Sequence, residues 1–208
     1  MALIIFDYDG VLADTLDDLI RFGQEACDRL SVKHLVTKDD ISNLEVMSFA
    51  TYGKACEVPE NLIDEFVKIN LNLFAEKDSP PAIFNGLREV IQKLSANHKI
   101  AVVTTNSSQN VHAFLNEHGL DSLVHAVYGV DTPGSKTHKI SIARERFVEN
   151  GEAVFMIGDS LSDIRAAKEA GVISVAVTWG HQSLKTLMQG EPDHVVNYPG
   201  ELNEVIAK

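Results

Sequence analysis

Cysteine, positive charge and long apolar runs are all scarce in this 208-residue chain. Two cysteines, Cys27 and Cys56, are too few for the disulfide framework of a small secreted domain, and they fit a reducing compartment. The longest apolar runs fall far short of the roughly 18 residues that a membrane span needs. Basic residues number 18 against 30 acidic ones, which gives a formal net charge of −12 at pH 7. That balance repels nucleic acids and anionic membranes, so we expect neither as a partner.

The amino terminus carries no basic segment ahead of an apolar stretch, because Asp7 interrupts the first apolar run almost at once. We therefore expect no secretory signal and a cytoplasmic location. Hydrophobic residues make up 45% of the chain and charged residues 23%, as in ordinary globular proteins, which excludes wholesale disorder.

Short apolar runs that alternate with helical patterns organise most of the chain. Ser107 is the predicted N-cap of one helix that Gly119 ends, and residues 163–170 form another helix ended by Gly171. Strands alternating with helices predict an α/β fold, a doubly wound Rossmann-like parallel sheet. The strands are predicted from four strong runs and two weaker ones, at residues 3–6, 99–104, 153–157 and 173–177, and at 126–128 and 194–196.

One stretch, residues 15–80, breaks this alternation and shows only helical periodicity. We expect it to form an inserted all-helical cap, with the Rossmann-like core built from residues 1–14 and 81–208. The two crossings between core and cap are the expected hinges. The alternative is that these helices simply cover one face of the sheet. The clearest helical stripe consists of Leu62, Phe66, Ile69 and Leu73.

Acidic and polar residues come just after the predicted strands, where an open parallel sheet binds its ligands. Asp7 and Asp9 follow the first run, residues 104–106 follow the second, and Asp159 follows the third, with Asp163 behind it. So much negative charge at close range raises the pKa values of the carboxylates unless a cation compensates. Hard oxygen donors, with no clustered Cys or His, predict Mg²⁺ rather than zinc.

Asp7 and Asp9 have a spacing that allows a shared chemical role. Residues two apart at the end of a strand point the same way, so one carboxylate can attack as a nucleophile while the other handles a proton. The alternative for this pair is a plain Asp-Gly turn.

Thr105 supplies a hydroxyl beside the amides of a helix start, which suits an anion, although a threonine there is also a common N-cap.

Two lysines precede or begin a helix that is predicted to run to Asn150. Either Lys136 or Lys139 is placed to stabilise the charge on a transferring phosphoryl group, although most surface lysines have no specific role. Asp163 falls in the first turn of its own helix, where an acid also stabilises the helix dipole. The eight histidines show no metal-ligand spacing, so we expect them on the surface or in loops.

Together these clusters resemble the motifs of the haloacid dehalogenase-like superfamily of phosphatases. The order of the motifs and the helical insert after the first strand agree over essentially the whole chain. The segment VTWG at residues 177–180 is similar to the phosphoglycolate phosphatase-like members. The four matching segments are residues 7–15 (DYDGVLADT), residues 103–106 (VTTN), the region of Lys136, and residues 158–163 (GDSLSD).

The resemblance implies a role for each acid. Asp7 is then the nucleophile that forms an aspartyl-phosphate, and Asp9 protonates the leaving alkoxide and later activates water. The carboxylates of Asp7 and Asp159 and the backbone carbonyl of Asp9 hold Mg²⁺. Asp163 lies behind them and bridges to the metal through water or orients the lysine.

The resemblance also implies that Thr105, Asn106 and Lys136 bind the phosphoryl oxygens. Thr105 is chosen over Thr104 because it directly precedes Asn106. The third motif lacks the Lys-Pro form common in this subfamily, so Lys136 is chosen over Lys139 from its position before the helix.

The expected function is a Mg²⁺-dependent phosphatase of a small phosphorylated metabolite, such as phosphoglycolate or a sugar phosphate, acting as a monomer or homodimer. Two alternatives stay open. A sugar phosphomutase transfers the phosphoryl group to a second hydroxyl and uses the same core residues. A phospho-acceptor or scaffold protein without turnover resembles receiver domains, which also place acids, a threonine and a lysine at a sheet edge. The sequence does not identify the natural substrate.

Overall fold

A computed structural model describes residues 1–77, 79–149 and 151–207. Its strands are β1 (Ala2–Phe6), β2 (Ala13–Asp14), β3 (Ala82–Ile83), β4 (Lys99–Val103), β5 (Ala126–Tyr128), β6 (Ala153–Gly158), β7 (Ile173–Val177) and β8 (His194–Val196). The main feature is a six-stranded parallel sheet with the order β5-β4-β1-β6-β7-β8. The sequence-based prediction of a doubly wound parallel α/β sheet is confirmed.

The first strand lies at the centre of the sheet because its apolar side chains are buried on both faces. Ile4 and Phe6 point into one apolar cluster, which the helices of residues 87–95 and 108–117 cover. Leu3 and Ile5 point into the other, which the helices of residues 136–147 and 161–170 cover. The chain places β4 on one side of β1 and β6 on the other. The strand order therefore reverses at β1, and a crevice for ligands is expected at its carboxyl end. The helices are α1 (Leu16–Arg29), α2 (Asp39–Ser42), α3 (Phe49–Ala55), α4 (Ile63–Ala75), α5 (Leu87–Ser95), α6 (Ser108–Glu117), α7 (Lys136–Phe147), α8 (Leu161–Ala170), α9 (Leu184–Leu187) and α10 (Leu202–Ile206).

Residues between the first strand and α5 form a helical segment with its own apolar core. Phe22, Ile41, Tyr52 and Phe66, one from each of α1 to α4, pack together in a cluster separate from the two that flank the sheet. Helices rather than strands in this stretch were predicted, and the structure contains them. The division into a core of residues 1–14 and 81–208 and a cap of residues 15–80 stays a prediction.

A short antiparallel ladder joins the two crossings between the sheet and this segment. Ala13 pairs with Ile83, and Asp14 pairs with Ala82. Strands of two residues carry no hydrophobic periodicity, so the sequence did not indicate them. The second crossing was predicted near Pro80 and Pro81; Asp78, just before it, lies outside the described residues.

Helix boundaries follow from capping side chains. Ser107 caps α6 by accepting from the main chain of Asn110, as predicted. Helix α8 begins at Leu161, two residues before its predicted start, because Ser160 caps it and Asp163 completes the capping box. Helix α7 ends at Phe147, and its predicted end at Asn150 lies outside the described residues. Of the helices in the described part of the chain, none is long and apolar enough to cross a membrane.

Candidate active site

Asp7 and Asp159 meet at one edge of the sheet because β1 and β6 are paired in register. Phe6 lies opposite Ile157, and the main-chain N–H of Asp7 donates to the carbonyl of Ile157 at 2.9 Å. Asp7 directly follows β1, and Asp159 directly follows β6. Asp163 joins them from the first turn of α8. The structure thus brings together three acids that the sequence had placed after strands.

These three carboxylates form a compact, buried cluster. Oxygen atoms of Asp7, Asp159 and Asp163 all lie within 4.8 Å of one another. Burial and then the Asp163 charge raise the pKa of Asp7 well above its ordinary value, although Lys136 opposes the shift. The same two causes raise the pKa of Asp159 to about 7, against the main-chain N–H of His181. Metal-free, the cluster therefore favours taking up a proton or a cation.

Lys136 is the one cation that the described residues bring into this cluster. Its Nζ donates to Asp7 Oδ2 at 2.9 Å and also to Asp163 Oδ1. Burial alone lowers the pKa of an ammonium, but Asp163 and Asp7 outweigh it and raise the pKa of Lys136, so the side chain is charged. The other candidate, Lys139, donates instead to the main-chain carbonyls of Thr104 and Gly129. Lys136 is therefore the lysine that contacts the acids.

Both carboxylate oxygens of Asp163 accept hydrogen bonds from neighbouring residues. Oδ1 accepts from Lys136, and Oδ2 accepts from the hydroxyl of Ser160 at 2.6 Å and from its main-chain N–H at 3.1 Å. Asp163 is only 1% exposed. Asp163 thus contacts Lys136 beside Asp7 and Asp159, and its role, bridging to a metal through water or orienting the lysine, stays a prediction.

Asp9 lies beside the cluster rather than within it. Its Oδ2 accepts from Asn106 Nδ2 at 3.0 Å, and its residue is less buried than Asp7. Gly10 has φ of 76°, and the main-chain N–H groups of Leu12 and Ala13 donate to the carbonyl of Tyr8. Asp9 therefore lies in a tight turn that is bonded to the loop after β4, so the turn and the catalytic interpretations of this segment are compatible.

The two threonines after β4 occupy different environments. Thr104 is 1% exposed, and its Oγ1 accepts from the main-chain N–H of Asn106 at 3.0 Å. Thr105 is exposed, and within the described residues its hydroxyl makes no hydrogen bond. Thr104 directly follows β4, which ends at Val103, and the structure buries it, whereas the sequence-based candidate Thr105 faces solvent. The assignment of a phosphate-binding hydroxyl to Thr105 stays a prediction.

His181 contacts the acid cluster, although no pattern in the sequence indicated a role for it. It lies in a loop, as predicted, but it is only 4% exposed. Its main-chain N–H donates to Asp159 Oδ2 at 2.7 Å, and its Nε2 lies 3.1 Å from Thr15 Oγ1. Burial lowers the pKa of the ring, so it is neutral at pH 7. Its position after β7, at the same edge as Asp159, was the available signal.

The donor set at this edge fits a hard divalent cation. The described residues contain one group of three or more His, Cys, Asp or Glu side chains with converging ligand atoms, and all three members are aspartates. Carboxylate oxygens are the donors that Mg²⁺ and Ca²⁺ prefer. One ammonium, from Lys136, does not balance three carboxylates. A buried cluster suited to a divalent ion is therefore present.

Comparison with known proteins agrees with this geometry. A family model described as haloacid dehalogenase-like hydrolase matches residues 4–177. The chain belongs to this family. It is 28% identical to the phosphoglycolate phosphatase of Synechococcus elongatus, over 100% of this chain and 98% of the relative. It is 31% identical to the phosphoglycolate phosphatase of Caulobacter vibrioides, over 86% and 80% of the two chains.

The fold of the haloacid dehalogenase-like family is also found by structural similarity. A hydrolase of this family from Streptococcus pneumoniae gives a TM-score of 0.83 at 21% identity, covering 99% of this chain and 98% of the other. Together with the family match, these findings confirm the predicted family, fold and enzyme class, a phosphoric monoester hydrolase. The roles of individual residues are a separate matter.

Proposed function

We propose that this protein is a Mg²⁺-dependent phosphatase that hydrolyses a small phosphorylated metabolite through an aspartyl-phosphate on Asp7. One observation carries the proposal. The Asp7 carboxylate is fixed at the sheet edge, with Oδ1 accepting from the main-chain N–H of Tyr8 at 2.8 Å and Oδ2 accepting from Lys136 at 2.9 Å. A carboxylate held in one orientation beside a charged lysine, with a second acid two residues on, is arranged for nucleophilic attack on phosphorus.

In the first step an oxygen of Asp7 attacks the phosphorus, and the bond from phosphorus to the ester oxygen breaks. Asp9, protonated at this point, gives its proton to the leaving alkoxide. In the second step Asp9, now a carboxylate, takes a proton from water, and the water oxygen attacks the phosphorus of the aspartyl-phosphate. Free phosphate leaves, Asp7 is regenerated, and Asp9 is protonated again. The hydrogen bond from Asn106 holds Asp9 in place for both transfers.

The ion would be held by the carboxylates of Asp7 and Asp159, with the main-chain carbonyl of Asp9 as the predicted third protein ligand. When bound, Mg²⁺ supplies positive charge that neutralises the cluster and the phosphoryl oxygens. Lys136 adds its own charge to the phosphoryl group, and Asp163 keeps the ammonium in place.

The remaining phosphate contacts are proposed at the end of β4. Asn106 and Thr105 are the sequence-based candidates, together with Lys136. Thr104 is an alternative to Thr105 as the phosphate-binding hydroxyl, because its side chain is buried and its Oγ1 accepts from the main-chain N–H of Asn106. Helix α6 starts two residues after Asn106, but the main-chain N–H groups of Ser108 and Asn110 already donate to Asp131 Oδ1 at 2.8 Å and Ser107 Oγ at 3.2 Å, so the proposal does not rely on the start of this helix.

Residues 15–80 are proposed to act as a lid over this edge. Their four helices have a core of their own, and the β2–β3 ladder ties both crossings to each other. A helical unit attached at paired crossings can close over a bound substrate, exclude water and select the leaving group.

Phosphoglycolate is the first substrate to test, because relatives at 28% and 31% identity carry that activity in their names. The net charge of −12 disfavours nucleic-acid and anionic membrane partners. The protein is expected to be a monomer or a homodimer.

The test is phosphate release from 2-phosphoglycolate, sugar phosphates and p-nitrophenyl phosphate, with and without Mg²⁺. Wild type is expected to turn over, and Asp7→Asn is expected to lose essentially all activity while its circular dichroism stays that of a folded protein. Stoichiometric labelling without sustained release would instead show a phospho-acceptor. Transfer to a second sugar hydroxyl would show a mutase.

A further inference from the structure

The loop after β7 connects the acid cluster with the start of the helical insert. His181 lies in this loop between Asp159, at the end of β6, and Thr15, which precedes α1. We infer that His181 is a positioning residue, which fixes the Asp159 carboxylate and couples it to Thr15 at the hinge of the insert. The inference rests on the proposed metal-dependent phosphatase and adds a residue to it.

The Asp159 carboxylate has little freedom to turn. Its Oδ2 accepts from the His181 main-chain N–H at 2.7 Å, and the ring Nδ1 lies 3.5 Å from the same oxygen. A Cβ added at Gly10 would lie 2.0 Å from this oxygen, and one added at Gly180 would lie 2.4 Å from it. Backbone from two loops therefore packs directly against the carboxylate. Its orientation depends on where the loop holding His181 lies.

Thr15 uses its hydroxyl for His181 instead of for its own helix. It is the N-cap residue of α1, where a threonine oxygen commonly accepts from a main-chain N–H of the first turn. Here the side chain makes no such bond, and Oγ1 lies 3.1 Å from His181 Nε2. Thr15 is 4% exposed, so water does not provide the alternative partner. The contact with the imidazole replaces the usual cap.

The residues that follow His181 continue onto the insert. Gln182 Nε2 donates to the carbonyl of Leu44 at 2.5 Å, and the main-chain N–H of Ser183 donates to the carbonyl of Ser42 at 2.9 Å. One short loop thus contacts Asp159 on the core side and three points on the insert side. A movement of the insert relative to the sheet pulls on the loop that holds Asp159, which is the physical basis of the coupling.

The test compares His181→Leu, His181→Gln and Thr15→Val with wild type. Binding of Mg²⁺ alone is measured by calorimetry, and kcat and KM are measured with the ester that wild type hydrolyses best. Both single variants keep the bond from the His181 main-chain N–H to Asp159 but remove the contact between the ring and Thr15 that fixes the loop. His181→Leu and Thr15→Val are therefore each expected to lower Mg²⁺ affinity and kcat by about tenfold, the low end of the range for residues that orient metal ligands, with KM little changed. In His181→Gln the side-chain amide can still hydrogen-bond to Thr15, so this variant is expected to keep most of the wild-type Mg²⁺ affinity and kcat. The double variant His181→Leu/Thr15→Val is expected to have the same Mg²⁺ affinity and kcat as either single variant, because both substitutions remove the same contact.

Ser48→Ala is the matched control. It removes the oxygen that caps α3 by accepting from Thr51, so it lowers thermal stability without touching Asp159 or the loop that holds His181. If His181→Leu only lowers stability, as this control does, and keeps wild-type Mg²⁺ affinity and kcat, the inference is overturned. Failure of wild type to release phosphate from any ester would instead contradict the proposed function, and the calorimetry would still decide the role of His181.

Discussion

Lys136 and Asp7, 129 positions apart in sequence, are joined by a hydrogen bond of 2.9 Å from Nζ to Oδ2. The bond exists because α7 begins at Lys136, so that the side chain leaves the first turn of the helix and reaches the end of β1. Lys139, one turn further along, donates to main-chain carbonyls, its sole hydrogen bonds among the described residues. Two similar lysines in one short segment therefore make different contacts, and the effects of the two can be separated by substitution.

Lys136→Met is expected to lower kcat about 100-fold or more, because one donor to a transferring group is worth that much in comparable sites. Lys139→Met is expected to keep kcat within about threefold of wild type but to cost about 1–3 kcal/mol of stability, since two buried carbonyls lose their donor. Phosphate-release kinetics measure kcat, and thermal unfolding measures stability, for each of the two variants. Equal loss of kcat in the two variants would contradict the assignment.

Thr104→Val and Thr105→Val test which hydroxyl serves the phosphate. Valine keeps the shape of threonine, so only the hydroxyl is lost. We expect the larger fall in kcat/KM, about tenfold, from Thr104→Val, because that hydroxyl is buried and also holds the N–H of Asn106. A larger loss from Thr105→Val would support the sequence-based choice instead.

Asp7 and Asp159 could be predicted from the sequence because each follows the end of an apolar strand. Strands such as β1 are buried on both faces, so their hydrophobic runs are unbroken and their ends are sharp. Once the ends are known, the position of Asp7 and Asp159 at one edge follows from parallel pairing.

The contacts around His181 and Thr15 could not be predicted in the same way. They join residues 166 positions apart, in a loop and at a helix start, where no periodicity fixes direction. The choice between Thr104 and Thr105 likewise depends on which side chain the turn buries. Patterns along the chain define elements, whereas these contacts depend on how the elements pack.

Asp193 is expected to make the stability of the protein depend on pH. The main-chain N–H and hydroxyl of Ser174 donate to its Oδ2 at 2.8 and 2.7 Å, and these bonds lower the pKa of Asp193. A lowered folded-state pKa stabilises the protein above the unfolded value of about 3.9, and this stability is lost as pH falls through the folded value.

The measurement is the free energy of unfolding of wild type and Asp193→Asn between pH 2 and pH 6, followed by urea titration. Wild type is expected to be the more stable near pH 6, and the difference is expected to shrink below about pH 4. In a Ser174→Ala background, which keeps the N–H but loses the hydroxyl, the difference is expected to be smaller. A difference that does not change with pH would contradict this explanation.

Asp159→Asn tests two properties of the acid cluster, the destabilisation that it causes without a metal and the stabilisation that it gives when Mg²⁺ binds. Three buried carboxylates with one lysine repel one another, so removing one charge is expected to raise the Tm in EDTA by about 2–4 °C, the shift that about 1 kcal/mol gives at this size. In wild type, Mg²⁺ is expected to raise the Tm in proportion to the logarithm of its concentration above Kd, because it binds only the folded state. The variant is expected to lose most of that gain.

Glu60→Gln is the control for this comparison, since it removes one charge from an exposed acid remote in sequence from the cluster. It is expected to match wild type both in EDTA and in Mg²⁺. If Asp159→Asn gained as much stability from Mg²⁺ as wild type does, the ion would bind elsewhere. That result would contradict the proposal that the three buried carboxylates bind the ion, because their mutual repulsion would then have no compensating cation.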